Sequence, residues 1–140
     1  MIKNVLIPID GSTRSLKAVE FLNEILGKNR ENLKIHLITV RDTEKEAVLP
    51  LTMEGRNEVR DRGKKLLHDA SEKLEGFDTT CEFIFGSPGP EILNYAEDND
   101  IDMILMTRST RTGLLAHVGS VTTYVVKRAK CIVGIVPEQV

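Results

Sequence analysis

The sequence predicts an α/β fold: a single open, doubly wound, five-stranded parallel sheet in the order 3-2-1-4-5, Rossmann-like, with helices on both faces. Three observations predict it. Five short apolar runs rich in β-branched residues recur along the 140 residues. Several of them lack polar alternation, which is how strands covered on both faces read. Helix-length amphipathic segments separate them, so the order is β-α-β-α-β-α-β-α-β, and right-handed crossovers then lay the strands parallel.

The first strand is NVLIPI, residues 4–9, and it runs into the turn Asp10-Gly11-Ser12. Ser12 or Thr13 caps the first helix, which sets Leu16, Val19, Leu22, Ile25 and Leu26 on one face. The second strand is KIHLITV, residues 34–40. A second helix carries the stripe Val59, Leu66, Leu67, Ala70 and Leu74 and stops at Gly76. The third strand is TCEFIF, residues 80–85. Pro88 and Pro90 open the third helix, which turns Ile92, Leu93 and Ala96 inward. DMILMT, residues 102–107, is the fourth strand, and the last helix follows Gly119-Ser120 with Val121, Tyr124, Val125 and Ala129 at helical spacing. CIVGIV, residues 131–136, closes the sheet. With no linker, repeat or low-complexity tract, residues 1–140 read as one domain.

Composition narrows the function classes. Lys and Arg number 19 against 21 Asp and Glu, a net charge of −2 that gives nucleic acid no reason to bind. No apolar run approaches the roughly 18 residues that span a membrane. The opening MIKNVLIPIDGS reads as strand and turn rather than a secretory leader, so the expected compartment is the cytoplasm. Cys81 and Cys131 form neither a CxxC nor a zinc pattern and are expected as buried free thiols.

In such a sheet, ligands bind beyond the carboxyl ends of the strands, where the order reverses beside the first strand. Pro8, Asp10, Gly11 and Ser12 stand there. Gly11 permits a sharp turn, and Asp10 supplies a carboxylate able to accept from an amine or hydroxyl; a helix-capping role fits the same residues. The second wall is the loop TRSTRTGLLAHVGS. Gly119-Ser120 gives an amide-lined helix start that favours phosphate, and Arg108 and Arg111 can add charge-assisted bonds. An ordinary surface loop, with Ser120 capping the helix, explains the same residues.

Taken in order, these pieces resemble the universal stress protein family over essentially the whole chain. NVLIPIDGSTRSLKAVEFL is similar to its opening strand, turn and helix, and KIHLITVRD to its second strand. GSPGPEILNYAEDNDIDMILM resembles its Gly-x-Pro helix and fourth strand, and GSVTTYVVKRAKCIVGIVP its closing helix and strand. The resemblance implies a role in stress tolerance or signalling, a homodimer through the last strand, Cys131–Val136, and, in a subset, bound ATP. In that subset the loop reads Gly, two residues, Gly, nine residues, then Gly-Ser or Gly-Thr. Here Thr107 and Thr110 replace the two glycines, and eight residues separate Thr110 from Gly119. The adenine and ribose contacts fall on Pro8, Asp10 and Val40, which match, as do Met106, Ser120 and Val121. Glycine would permit positive φ and close approach of backbone to phosphate. A β-branched residue resists both, at about 1–2 kcal/mol for a left-handed conformation.

Related chemistries with the same topology lack their residues. A receiver domain needs paired carboxylates after the first strand and a Lys after the fifth. A P-loop needs Gly-x4-Gly-Lys-[Ser/Thr]. An adenylating enzyme of pyrophosphatase type needs Ser-Gly-Gly-x-Asp-Ser. None is present. His36 is expected to be packed or hydrogen-bonded within its strand and His68 to face solvent, while His117 lies in the candidate loop. No catalytic residue or metal ligand is assigned. The expected function is a cytoplasmic, dimeric stress-response module binding an adenine nucleotide, ATP or AMP, weakly, with Mg2+ if a triphosphate. The alternatives are a nucleotide-independent interaction protein, with an unidentified protein partner, and a slow ATPase.

Overall fold

The computed structural model describes residues 1–26, 31–42, 52–107 and 119–137. Strands β1 (Asn4–Pro8), β2 (Lys34–Arg41), β3 (Asp78–Phe85), β4 (Met103–Thr107) and β5 (Ile132–Val136) alternate with helices α1 (Leu16–Leu26), α2 (Met53–Glu72), α3 (Pro88–Asp98) and α4 (Ser120–Arg128). All pairings are parallel, in the order β3-β2-β1-β4-β5. The expected architecture and the strand spans hold to within one or two residues.

The period-two alternation of the central strands divides the core. Val5, Ile7, Ile35, Leu37 and Leu105 face α1 and α2, meeting Val19, Leu22, Leu67, Ala70 and Leu74. Leu6, Ile38, Ile104 and Met106 face α3 and α4, meeting Ile92, Tyr95, Ala96 and Val125. Because both faces are covered, β1 reads as unbroken apolar sequence. Gly63 adds a contact that the apolar stripe of α2 did not reveal: a Cβ there would collide with the Phe83 ring.

Three expectations need correction. Ile25 is 60% exposed, and Ala18 takes its place in the core beside Val19 and Leu22. Cys81 is exposed and Cys131 only half-buried, although both are free thiols. They lie on or beside the two edge strands, where the helical layers end. The last helix buries Thr122 and Val125, with Val121 and Tyr124 only half-covered.

His36 is buried at 5% exposure, with Nδ1 2.7 Å from the Tyr95 hydroxyl and Nε2 3.0 Å from Asn4 Oδ1. A carboxamide oxygen only accepts, so Nε2 carries the proton and Nδ1 accepts from Tyr95. The ring is a structural, neutral histidine. His68 faces solvent with Glu72 Oε1 2.9 Å away. No helix among the described residues is long and apolar enough to cross a membrane.

One register detail positions the site. β1 pairs with β2 along its whole length, but with β4 only from Val5–Met103 to Leu6–Ile104. Even-numbered residues of β1 present their peptide groups to β4, as the bond from Asp102 N to Asn4 O shows, while Ile9 N turns the other way, to Ile38 O. Position 8 therefore faces β4, and proline has no N–H to donate. The two strands part there.

Candidate functional site

The parting of β1 and β4 opens a crevice of about 380 Å³ at the carboxyl edge of the sheet, near the lower end of the roughly 300–1,000 Å³ typical of small-molecule sites. Its floor is apolar: Pro8 from β1, Val40 from β2, Met106 from β4, Ile92 from α3 and Val121 from α4. Its rim is polar, with Asp10, Ser12, Arg14 and Ser15 on one side and Thr107, Gly119, Ser120 and Thr122 on the other.

The first side is a compact turn. Gly11 adopts φ +90°, a left-handed conformation that a side chain would strain. Asp10 Oδ1 accepts from Ser12 N at 2.9 Å and from Ser12 Oγ at 2.6 Å. Ser12 Oγ accepts in turn from Ser15 N at 3.3 Å, while Ser15 Oγ donates to Ser12 O at 2.8 Å. Ser12 thus closes the 3₁₀ turn Thr13–Ser15 that leads into α1. Arg41, at the end of β2, donates from Nη1 to Asp10 O at 2.8 Å and covers Gly11. Partial burial would raise the Asp10 pKa, but the two Ser12 hydrogen bonds and the Arg14 charge outweigh it and hold the carboxyl below its ordinary value. Asp10 is a fixed anion at neutral pH, and part of its hydrogen-bonding capacity is spent on the turn.

On the other side, Thr107 ends β4. Among the described residues only Asn32 and Asp100 combine positive φ with a side chain, so Thr107 carries none of the left-handed strain considered from sequence. Its hydroxyl accepts from Ala18 N, an amide in the first turn of α1, at 3.2 Å. Gly119 precedes α4 without a side-chain cap, and a Cβ there would meet nothing within 4 Å. Ser120 is exposed and Val121 half-buried.

The fold brings together Pro8, Asp10, Ser12, Val40, Met106, Thr107, Gly119, Ser120 and Val121 around one crevice. Gly11 stands behind the wall, under Arg41, and shapes the turn without lining the space. Arg108, Thr110, Arg111 and His117 lie outside the described residues. Sequence reasoning missed Ile9, Arg14, Ser15, Pro88, Ile92 and Thr122. Arg14 and Ser15 were open to inference from their place one turn after Asp10, whereas Thr122 reads only as a polar residue in a helix. Among the described residues no three His, Cys, Asp or Glu side chains lie close enough together to hold a metal ion.

A family model described as the universal stress protein family matches residues 1–137. The universal stress protein YxiE of Bacillus subtilis is 30% identical over 147 residues, covering 97% of this chain and 99% of its own. The solved structure of MJ0577, named in Methanocaldococcus jannaschii as a universal stress protein, superposes with a TM-score of 0.85 at 28% identity, covering 98% of this chain and 96% of that one. A universal stress protein crystallised in complex with cAMP superposes with a TM-score of 0.73 at 20% identity, covering 99% and 98% of the two chains.

Proposed function

We propose, because this chain belongs to the universal stress protein family, that it is a binding and signalling module whose crevice takes an adenine nucleotide. One observation carries the reading: the split between β1 and β4 forms an apolar slot with a polar rim, built largely from the residues to which the family resemblance assigns adenine and ribose contacts. The planar base lies on Pro8, Val40, Met106 and Val121, and the Asp10 carboxylate accepts from a ribose hydroxyl. The cAMP-bound relative supports an adenine ligand at this kind of fold. Mg2+ accompanies the ligand only if it is a triphosphate. Titration calorimetry with ATP, ADP, AMP and cAMP checks the reading, and absence of heat at millimolar nucleotide removes it.

In this reading residues 1–140 act as one cytoplasmic domain that assembles as a homodimer through β5. Two isoleucines of this edge strand, Ile132 and Ile135, are 57% and 41% exposed, and an uncovered apolar edge invites pairing. Light scattering at micromolar concentration should give twice the 15.7 kDa chain mass; a monomer rejects the interface. The second reading, an interaction protein that uses fold and dimer surface without nucleotide, is favoured by Thr107, whose hydroxyl is already committed to α1. Nucleotide that co-purifies with the protein would eliminate it.

A further inference from the structure

Two polar residues that line the crevice are more than nine-tenths buried, Ser15 at 8% exposure and Thr122 at 7%. Ser15 spends its hydroxyl on the first turn, donating to Ser12 O at 2.8 Å. The Thr122 hydroxyl makes no hydrogen bond to any described residue. Sealed polar atoms without a partner do occur among the described residues, at Asn23 Oδ1 and Thr39 Oγ1, and Thr122 Oγ1 is not one of them. It keeps an opening, and the opening is the crevice.

Helical spacing explains the placement. Thr122 and Val125, three residues apart in α4, are the buried residues of that helix. Val125 packs with Ile92, Ile104 and Met106. Thr122 stands one turn nearer the start of the helix, where Ile92, Met106 and Val121 form the floor. Valine has the same shape and would serve the packing without burying a polar group, which costs free energy when its hydrogen bond is unmade. The hydroxyl therefore calls for a partner that arrives from outside the chain.

We propose that the Thr122 hydroxyl reads the base of the bound nucleotide, donating a hydrogen bond to one ring nitrogen of the purine. The inference rests on the nucleotide reading above and adds the residue that recognises the base. Apolar contact with Pro8, Val40, Met106 and Val121 favours any flat ring. A directional donor beside them favours a ring that can accept, and a site built to make such a bond rejects the analogue that lacks it.

The test is titration calorimetry of the whole chain with AMP, ATP and the 1-, 3- and 7-deaza analogues of each, in which a C–H replaces one ring nitrogen. Wild type, Thr122→Val and Thr122→Ser are compared, and the melting midpoint of each is taken without ligand. In wild type one of the three analogues should bind about fivefold more weakly than its parent. Thr122→Val should bind the parent about fivefold more weakly and no longer distinguish that analogue, the coupling that a shared hydrogen bond produces. Thr122→Ser should keep the distinction. Without ligand, Thr122→Val should melt no lower than wild type, because no bond within the chain is lost. A valine variant that binds the parent as wild type does overturns the inference, as does the same analogue penalty in both proteins. So does a valine variant that melts lower, which would place the hydroxyl on the helix's own backbone. Each of these removes the role of Thr122 alone, whereas wild type that binds neither AMP nor ATP removes the nucleotide reading with it.

Discussion

Replacing Thr107 by valine removes one hydroxyl and almost no volume. The residue accepts from Ala18 N at 3.2 Å and ends β4 in extended backbone, so valine keeps strand geometry and side-chain bulk. What changes is the amide at the start of α1, which loses its acceptor in a partly buried setting. A buried donor left unmade costs about 1–3 kcal/mol, and loss of a helix cap about 0.5–2 kcal/mol. Water can reach part of this site, and valine suits a strand slightly better, so the expected loss is about 1 kcal/mol. For a domain of this length that corresponds to a melting shift of roughly 3–6 °C. Urea unfolding should show a lower midpoint for Thr107→Val with an unchanged slope, and Thr107→Ser should stay near wild type. A valine variant as stable as wild type would refute the capping role of Thr107.

Other expectations follow from the same geometry. Gly11→Ala forces a side chain into a left-handed turn and to 3.0 Å from Arg41 Nη2, so it should cost about 1–2 kcal/mol in urea unfolding and weaken ligand binding by loosening Asp10. Leu67→Ala, at a core position with 2% exposure, should cost about 2–5 kcal/mol by the same measurement. Burial, aided by the Lys34 charge and opposed by Asp78, lowers the His36 pKa. The unfolded chain then takes the proton first, so this contribution is complete above the ordinary imidazole value of about 6.5 and lost as pH falls toward the lowered folded value. Unfolding midpoints should therefore drop as pH falls below about 6.5 in wild type and drop less in His36→Gln; equal slopes would count against it.

The strands were legible because a strand covered on both faces must be apolar throughout, and only helices long enough to cross over fit between such runs. What escaped depends on partners far away in sequence. Whether Cys81 is buried depends on β3 lying at the edge, which no local pattern around TCEFIF reveals. Ile25 satisfies the helical period, yet it is 60% exposed while Ala18, smaller and earlier in α1, lies in the core. In the site, Pro8 was readable because topology brings the end of β1 to the crevice, whereas Val40, Met106 and Val121 were reached only through the resemblance to the family. The tie between Thr107 and Ala18 joins residues 89 positions apart, and its sequence signal is only a threonine where glycine was expected.

The proline in β1 has a consequence for how this protein can vary. A gap between neighbouring strands is an invitation to zip, since each unpaired peptide seeks a mate. Withdrawing a single proton from the backbone at Pro8 prevents that annealing without touching the hydrophobic layers beneath. Ring chemistry in the backbone, rather than side-chain choice at the mouth, thus helps keep the opening in place. Substitutions around that mouth would leave the layers below it untouched.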